Sequence, residues 1–195
     1  INMLQSKPNN SIYLDHSATT PVGREVLKVM LPYFSEIYGN PSSLHGFGQA
    51  ALAAVNKARE QAAEFLNCQK EEIIFTSGAT EADNLAIFGL VNGLRKKNPK
   101  EKFHVITSAI EHPAVLEPVS RLETQGIEVT YLPVGKNGVI NLETFNQAIK
   151  NQTVLVSIMY VNSEVGSIQP IRQIGKIIEK INQQRVKAGS DKKIY

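Results

Sequence analysis

Short apolar runs alternate with longer amphipathic segments along this chain. Runs rich in β-branched and aromatic residues predict four strands, at 73–76, 104–107, 128–132 and 154–161. Apolar residues at helical spacing predict helices between and after them, at 79–97, 113–125, 142–150 and 170–187. Two further helices are predicted upstream, at 24–38 and 46–66, the first of them perturbed at Pro32.

The alternation of strands and helices predicts an α/β fold with a mostly parallel sheet covered by helices on both faces. The run at 154–161 is nearly continuously apolar, as expected of a strand buried on both sides, and the run at 73–76 also suggests a buried strand. Ligands of such sheets bind beyond the carboxyl ends of the strands. Polar residues that directly follow a predicted strand are therefore the candidate functional residues.

Composition narrows the class of protein. The 195 residues are 42% hydrophobic, which suffices for one sizeable core, and the formal net charge is only +3. The charges are dispersed, so we expect no nucleic-acid partner. The longest nearly apolar run, at 154–161, is too short to span a membrane, and residues 1–11 are a polar N-terminal tail without the apolar segment of a signal peptide.

Cys68 is the only cysteine in the chain. It permits no intrachain disulfide and no cysteine-based metal cluster, so we expect no metal and a reducing compartment. Cys68 follows a predicted helix end, where a structural thiol is the better interpretation than a nucleophile.

The first candidate site is the turn after 73–76, formed by Ser77, Gly78, Ala79 and Thr80. A turn that leads through glycine into a helix aims unpaired N–H groups and the positive end of the helix dipole at one point, as phosphate binding requires. The hydroxyls of Ser77 and Thr80 could add donors. The alternative is an ordinary capped helix start, since Ser, Thr and Gly are common there.

Two more polar segments follow strands. Glu111-His112-Pro113 comes after 104–107, and Asn162-Ser163 comes after 154–161. Each taken singly is typical of a helix start or a turn. Together with the 77–80 turn they offer phosphate donors, a flat imidazole that can stack on an aromatic ring, and amide or hydroxyl groups. This combination favours a phosphorylated aromatic cofactor over a dinucleotide, for which no G-x-G-x-x-G segment is found.

Five segments together resemble the NifS/IscS-type cysteine desulfurases, pyridoxal-phosphate (PLP) enzymes of aminotransferase class V. They occur in the family's order and spacing, and the similarity runs from residue 12 to residue 195. The segments are 12–21 (IYLDHSATTP), 39–43 (GNPSS), 77–84 (SGATEADN), 111–112 (EH) and 162–166 (NSEVG).

The resemblance implies a PLP-dependent transferase of fold type I. Residues 12–195 would be the N-terminal part of its PLP-binding large domain, truncated before the rest of that domain and before the small C-terminal domain. It further implies a homodimer when complete, in the cytoplasm or an organellar matrix. The implied reaction converts L-cysteine to L-alanine and leaves an enzyme-bound persulfide, whose sulfur passes to acceptor or scaffold proteins for iron–sulfur cluster assembly or thiolation.

The resemblance also implies roles for single residues. Ala79 and Thr80 match positions that hold the PLP phosphate, and His112 matches the histidine that stacks on the pyridine ring and handles protons, so it is the candidate catalytic residue. Ala18 and Thr19 match the loop that lines the substrate mouth.

The Asn162-Ser163 pair departs from the family pattern, which has two asparagines. Both residues are expected at the cofactor, and Ser163 stands where the second asparagine faces the cofactor's phenolic oxygen and the substrate carboxylate. A hydroxyl can still donate a hydrogen bond, but it reaches less far than an amide.

Several family segments have no counterpart in this chain: the aspartate that pairs with the pyridinium nitrogen, the Schiff-base lysine and the mobile cysteine loop. We therefore expect the chain alone to be inactive, and 73–76 to lack its neighbouring strands. Two alternatives stay open: another class V PLP lyase or aminotransferase, or a non-catalytic remnant that keeps an anion-binding rim.

Overall fold

The computed structural model describes residues 12–195 and divides the chain into two compact units, 1–75 and 76–195. The predicted polar tail, 1–11, lies outside the described residues. Unit 1 contains helices α1 (Arg24–Met30), α2 (Pro32–Ser35) and α3 (Gly46–Leu66), followed by a short 3-10 turn at Lys70–Glu72. The predicted perturbation at Pro32 is confirmed, because α1 ends before it and Pro32 begins α2.

The strand predicted at 73–76 is wrong. These residues pair with no strand in the described part of the chain, and they are not buried: Ile74 is 67% exposed and Phe75 is 53% exposed. A strand is stable only when a neighbour takes its backbone hydrogen bonds. An apolar, β-branched segment without such a neighbour keeps its sequence signature but forms no ladder.

Unit 2 is built on a three-stranded parallel sheet, which confirms the predicted α/β class. Its strands are β1 (His104–Ser108), β2 (Glu128–Leu132) and β3 (Thr153–Ser157), in the order β2-β1-β3. The helices are α4 (Ala79–Lys97), α5 (Pro113–Thr124), α6 (Leu142–Ala148) and α7 (Ile171–Lys187). Each lies within about two residues of its prediction, as is common for helix ends.

Helices cover both faces of this sheet, as predicted. Val105 belongs to an apolar cluster that includes residues of α4 and α5, and its neighbour Ile106 belongs to a second cluster with residues of α6 and α7. Successive strand residues point to opposite faces, so one strand contributes to both cores.

The third strand is shorter than predicted. It was expected to continue to residue 161, but its pairing with β1 stops at Thr107 and Ser157. Its partner ends at Ser108 and turns away, so later residues find no ladder; Val161 forms only an isolated bridge with Ile168. Beyond Ser157, residues 158 and 159 are partly buried, whereas Tyr160 and Val161 are 66% and 48% exposed, so the apolar pattern at 158–161 belongs to a loop and not to a strand.

At the amino end of the strands, His104 of the central strand β1 is fully buried and joins all three strands. Its Nδ1 lies 2.8 Å from Thr153 Oγ1 and its Nε2 lies 2.8 Å from Thr130 Oγ1. Burial lowers the pKa of His104, and the nearby Lys150 lowers it further, while Glu128 acts in the opposite direction. His104 lies at the amino end of β1, whereas the predicted site residue His112 follows its carboxyl end, so we interpret the buried His104 as a structural histidine.

Candidate functional site

The carboxyl end of β1 passes into residues 109–112, and the end of β3 passes into 158–163. Two side chains join these segments: Met159 N–H donates to Glu111 Oε1 at 2.9 Å, and Asn162 Nδ2 donates to the Ile110 carbonyl at 3.1 Å. The two loops that were predicted to share a rim are therefore in direct contact.

The turn before α4 presents a row of free donors. Within residues 12–195, no hydrogen-bond acceptor is found for the four successive N–H groups of 78–81. The carboxylate of Glu81 folds back instead onto Ser77, accepting from its N–H at 2.7 Å and from its hydroxyl at 2.6 Å. These bonds lower the pKa of Glu81. Ser77, predicted as a phosphate donor, thus spends both donors on fixing the turn, and the donors from Gly78 onward are left for a ligand.

His112 directly precedes α5 and caps it. Its Nδ1 accepts the N–H of Ala114 at 3.0 Å, and Pro113 occupies the first helical position, where its missing N–H costs nothing. Because Nδ1 accepts, the proton of the neutral ring lies on Nε2. The ring is nevertheless exposed. His112 is therefore held in one orientation by its own helix, with Nε2 free to donate or exchange a proton.

A cleft of about 450 Å³ brings the two helix starts together. Thr80 and Asn84 line it from α4, and His112 lines it from α5. Asn84 donates to the Thr80 carbonyl at 2.7 Å. The Thr80 hydroxyl makes no hydrogen bond to any residue within 12–195. Two residues that were predicted from separate parts of the sequence, Thr80 and His112, thus share one cavity.

Asn162 is held in place by hydrogen bonds to the main chain on both of its amide atoms. Its side chain is buried, its Oδ1 accepts the N–H groups of Glu164 and Val165 at 2.9 and 3.0 Å, and its Nδ2 donates to Ile110. With its amide used in this way, Asn162 shapes the loop after β3. The neighbouring Ser163 is exposed and is the residue whose hydroxyl is available.

Glu111 lies beneath this rim and is almost fully buried, at 6% exposure. Its Oε1 accepts from Ser108 Oγ at 2.5 Å as well as from Met159 N–H. Burial raises the pKa of Glu111, which the two hydrogen bonds oppose, and the charge of Asp83 raises it further. No cation pairs with this carboxylate among residues 12–195.

Ala18 and Thr19 belong to unit 1, where they lie in the loop before α1 and are exposed. The Tyr13 hydroxyl is 2.8 Å from the Asp15 carbonyl and 3.1 Å from the Thr19 carbonyl, so this loop is folded back on itself. The expected role of Ala18 and Thr19 at a substrate mouth stays a prediction.

Among residues 12–195, none of the helices combines the length and the apolar character that a membrane span requires. Nor do three or more His, Cys, Asp or Glu side chains in this part of the chain come together as a metal site. Cys68 is a free thiol of intermediate exposure.

Sequence reasoning missed the roles of Glu81 and Glu111. Glu81 stands four residues after Ser77, a spacing at which an acid in the first helical turn can reach back, and this signal was available. Glu111 gave a weaker signal, because its partner Met159 lies 48 residues away and only the fold brings them together.

The aminotransferase class-V profile matches residues 12–186. Among characterised relatives, the cysteine desulfurase IscS of Methanosarcina thermophila is 49% identical over 172 residues, which is 88% of this chain and 42% of that protein. The cysteine desulfurase IscS of Clostridium botulinum is 47% identical over 89% of this chain and 43% of that protein. The chain thus spans less than half the length of these relatives.

Solved structures agree with this similarity. A NifS-like protein superposes with a TM-score of 0.78 at 41% identity, covering 86% of this chain and 45% of that structure. A structure described as SspA in complex with cysteine superposes with a TM-score of 0.79 at 41% identity, covering 88% of this chain and 48% of that one. The expected likeness to NifS/IscS-type proteins is therefore confirmed, and this chain belongs to the class-V aminotransferase family.

Proposed function

We propose that the chain is the N-terminal half of a cysteine desulfurase and holds the phosphate and ring of PLP. The observation that carries this proposal is the cleft shared by Thr80 and His112. Thr80 brings to this cleft the start of α4, where the N–H groups of 78–81 have no acceptor among residues 12–195, and His112 brings a flat, exposed imidazole. A phosphorylated pyridine needs both features. A non-catalytic scaffold has no use for that combination.

The residues fit the cofactor in a specific way. The N–H groups of Gly78, Ala79 and Thr80, together with the Thr80 hydroxyl, would hold the phosphate at the positive end of α4. His112 would stack on the pyridine ring, and Ser163 would donate to the phenolic oxygen or to a substrate carboxylate. Ser77 and Asn162 support these groups rather than touching the ligand, because their donors are already engaged.

Bound PLP supplies the electron sink that weakens bonds at the α-carbon of an amino acid. This chain's own residues would orient that cofactor and hold a proton. His112 holds its ring proton on Nε2 because Nδ1 accepts the Ala114 N–H, so Nε2 is the atom that would exchange a proton with the substrate. Ala18 and Thr19 would line the substrate mouth.

The substrate proposal, L-cysteine, follows the relatives: they are named cysteine desulfurases, and one similar structure is described as a complex with cysteine. We further propose that residues 12–195 form part of the PLP-binding large domain of a homodimer. Its compartment would be the cytoplasm or an organellar matrix, and its sulfur would pass to acceptor or scaffold proteins. Another class V PLP lyase or aminotransferase is the second candidate, because fewer than half of the relatives' residues are matched.

The test uses the complete protein, by which we mean residues 1–195 joined to a C-terminal half, supplied by the source gene or by the Methanosarcina relative. With PLP and a reductant it should release sulfide and alanine from L-cysteine. Binding of PLP without sulfide release, but with turnover of another amino acid, would favour the second candidate. Failure to bind PLP would leave only the anion-binding remnant.

A further inference from the structure

We infer that Glu111 is a positioning residue: its buried carboxylate joins the loop that carries His112 to the loop that carries Ser163. The functional part of this inference rests on the proposed function, whereas the joining itself does not.

The first observation is where the sheet ends. Pairing between β1 and β3 stops at Thr107 and Ser157, and the Thr107 hydroxyl donates to the Ser157 carbonyl at 2.9 Å. Beyond this point the segments that follow β1 and β3 no longer pair as strands. Met159, two residues further on, has its N–H satisfied by the Glu111 side chain rather than by a strand carbonyl. The carboxylate thus takes the place of the next rung of the ladder.

The second observation is that one oxygen makes both connections. Glu111 Oε1 accepts from Ser108 Oγ at 2.5 Å, at the end of β1, and from Met159 N–H at 2.9 Å, in the loop after β3. A separate bond ties the Asn162 side chain to the main chain before Glu111, because Asn162 Nδ2 donates to the Ile110 carbonyl at 3.1 Å. His112 follows Glu111 directly and Ser163 follows Asn162 directly, so the two exposed residues are carried by two anchored ones.

The third observation is that this buried carboxylate pairs with no cation among residues 12–195. Burying an unpaired carboxylate is costly, and the two hydrogen bonds that Glu111 accepts offset part of that cost. Its acceptor oxygen is what the two donors require, and a glutamine would offer the same acceptor through its carbonyl. The inference therefore separates the acceptor, which should be essential, from the charge, which should not.

The experiment compares Glu111→Ala, Glu111→Gln and Ser108→Ala in the complete protein, with Glu179→Ala as the control, an exposed acid on α7. Hydrogen exchange is measured first on the protein without PLP. Glu111→Ala should speed exchange of the Met159 amide by about tenfold or more, because its acceptor is gone. In Glu111→Gln and in the control, exchange of the Met159 amide should stay near the wild-type rate. Ser108→Ala should give an intermediate rate, and it keeps the test valid if Glu111→Ala does not fold.

The second readout is PLP retention by equilibrium dialysis, together with the induced circular dichroism of the bound cofactor. Glu111→Ala should weaken retention about tenfold and diminish the dichroism, and Glu111→Gln should restore both. Unchanged Met159 exchange in the alanine variants would overturn the joining. Two results would overturn the positioning role. One is a loss of PLP retention in Glu111→Gln as large as that in Glu111→Ala. The other is faster exchange of the Met159 amide with unchanged PLP retention. A wild type that binds no PLP would instead defeat the proposed function, while the exchange data still decide the joining.

Discussion

Single side chains decide whether the turn before α4 can hold a ligand. The Thr80 hydroxyl is the one side-chain donor of that turn not engaged by a described residue, because Ser77 is bonded to Glu81. Thr80→Val in the complete protein should weaken PLP retention by about 1–3 kcal/mol through loss of a charge-assisted hydrogen bond. Thr124→Val, at the far end of α5, is the matched control. Equal affinity of Thr80→Val and wild type in equilibrium dialysis would remove Thr80 from the site.

Ser163 should be a working but weak substitute for the family asparagine. Its exposed hydroxyl can donate, but it reaches less far than an amide. In the complete protein Ser163→Asn should lower the Michaelis constant for L-cysteine or leave it unchanged, as measured by sulfide release. A clear loss of activity would mean that the pocket is built around the hydroxyl.

His104 makes stability depend on pH. Because burial lowers its pKa below the ordinary value of 6.5, the folded protein binds fewer protons than the unfolded chain as the pH falls. The free energy of unfolding should therefore decrease below about pH 6.5, and this decrease should stop once the pH is below the folded-state pKa.

Denaturant titrations of the complete protein between pH 7 and pH 5 measure this effect. His104→Gln should flatten the slope in that range, whereas His16→Gln, at an exposed position, should keep it. Glu111 also contributes to the pH dependence of the free energy of unfolding, in the opposite direction, because its pKa is raised. Wild type and His104→Gln share this contribution, so it cancels when their slopes are compared. An unchanged slope in His104→Gln would contradict the prediction.

At the scale of elements, α5 couples helix stability to the proposed chemistry through His112. The same ring caps the helix through Nδ1 and lines the cleft. His112→Ala should lose both roles, and His112→Asn should lose only the ring, because asparagine is a good N-cap.

The two variants therefore separate capping from catalysis. We expect His112→Ala to lower the stability of the complete protein by about 1 kcal/mol and His112→Asn to restore most of it. Both should reduce turnover more than cofactor loading. Wild-type turnover in His112→Asn would show that the ring neither stacks nor moves a proton.

At the scale of the whole molecule, the 195-residue chain carries surface that its own fold does not cover. Phe34, Leu44 and Phe65 are 74%, 93% and 89% exposed, and 73–76 has no strand partner in the described part of the chain. We expect the chain alone to release no sulfide from L-cysteine with PLP and a reductant. Hydrogen exchange should be fast at 73–76 and slow in β1, β2 and β3.

Mixing with a separately expressed C-terminal half should restore both sulfide release and protection at 73–76. Protection of 73–76 equal to that of the three strands in the chain alone, or desulfurase activity without the second half, would overturn this prediction. Exposed apolar residues of this kind also make the isolated chain prone to aggregate.

The sequence by itself determined the features that depend on near neighbours. Helix bounds at Ala79–Lys97 and Gly46–Leu66, the break at Pro32 and the class of the sheet follow from periodicity, caps and turn residues. The expectation that polar residues after a strand belong to the site holds for His112, which follows β1. Thr80 follows 73–76, which forms no strand, yet it shares a cleft with His112 because it lies at the start of α4.

Only the tertiary structure decided which polar groups are free. Strand pairing left 73–76 without a ladder and ended β3 at Ser157 rather than at 161, because a strand exists only where a neighbour accepts its hydrogen bonds. Asn162 and Ser77 carry donors of the kind that a ligand site needs, but these donors are engaged by Ile110 and Glu81. Glu111 gains its role from Met159, which lies 48 residues away. Composition and spacing cannot report such contacts, since each one depends on where two distant segments meet.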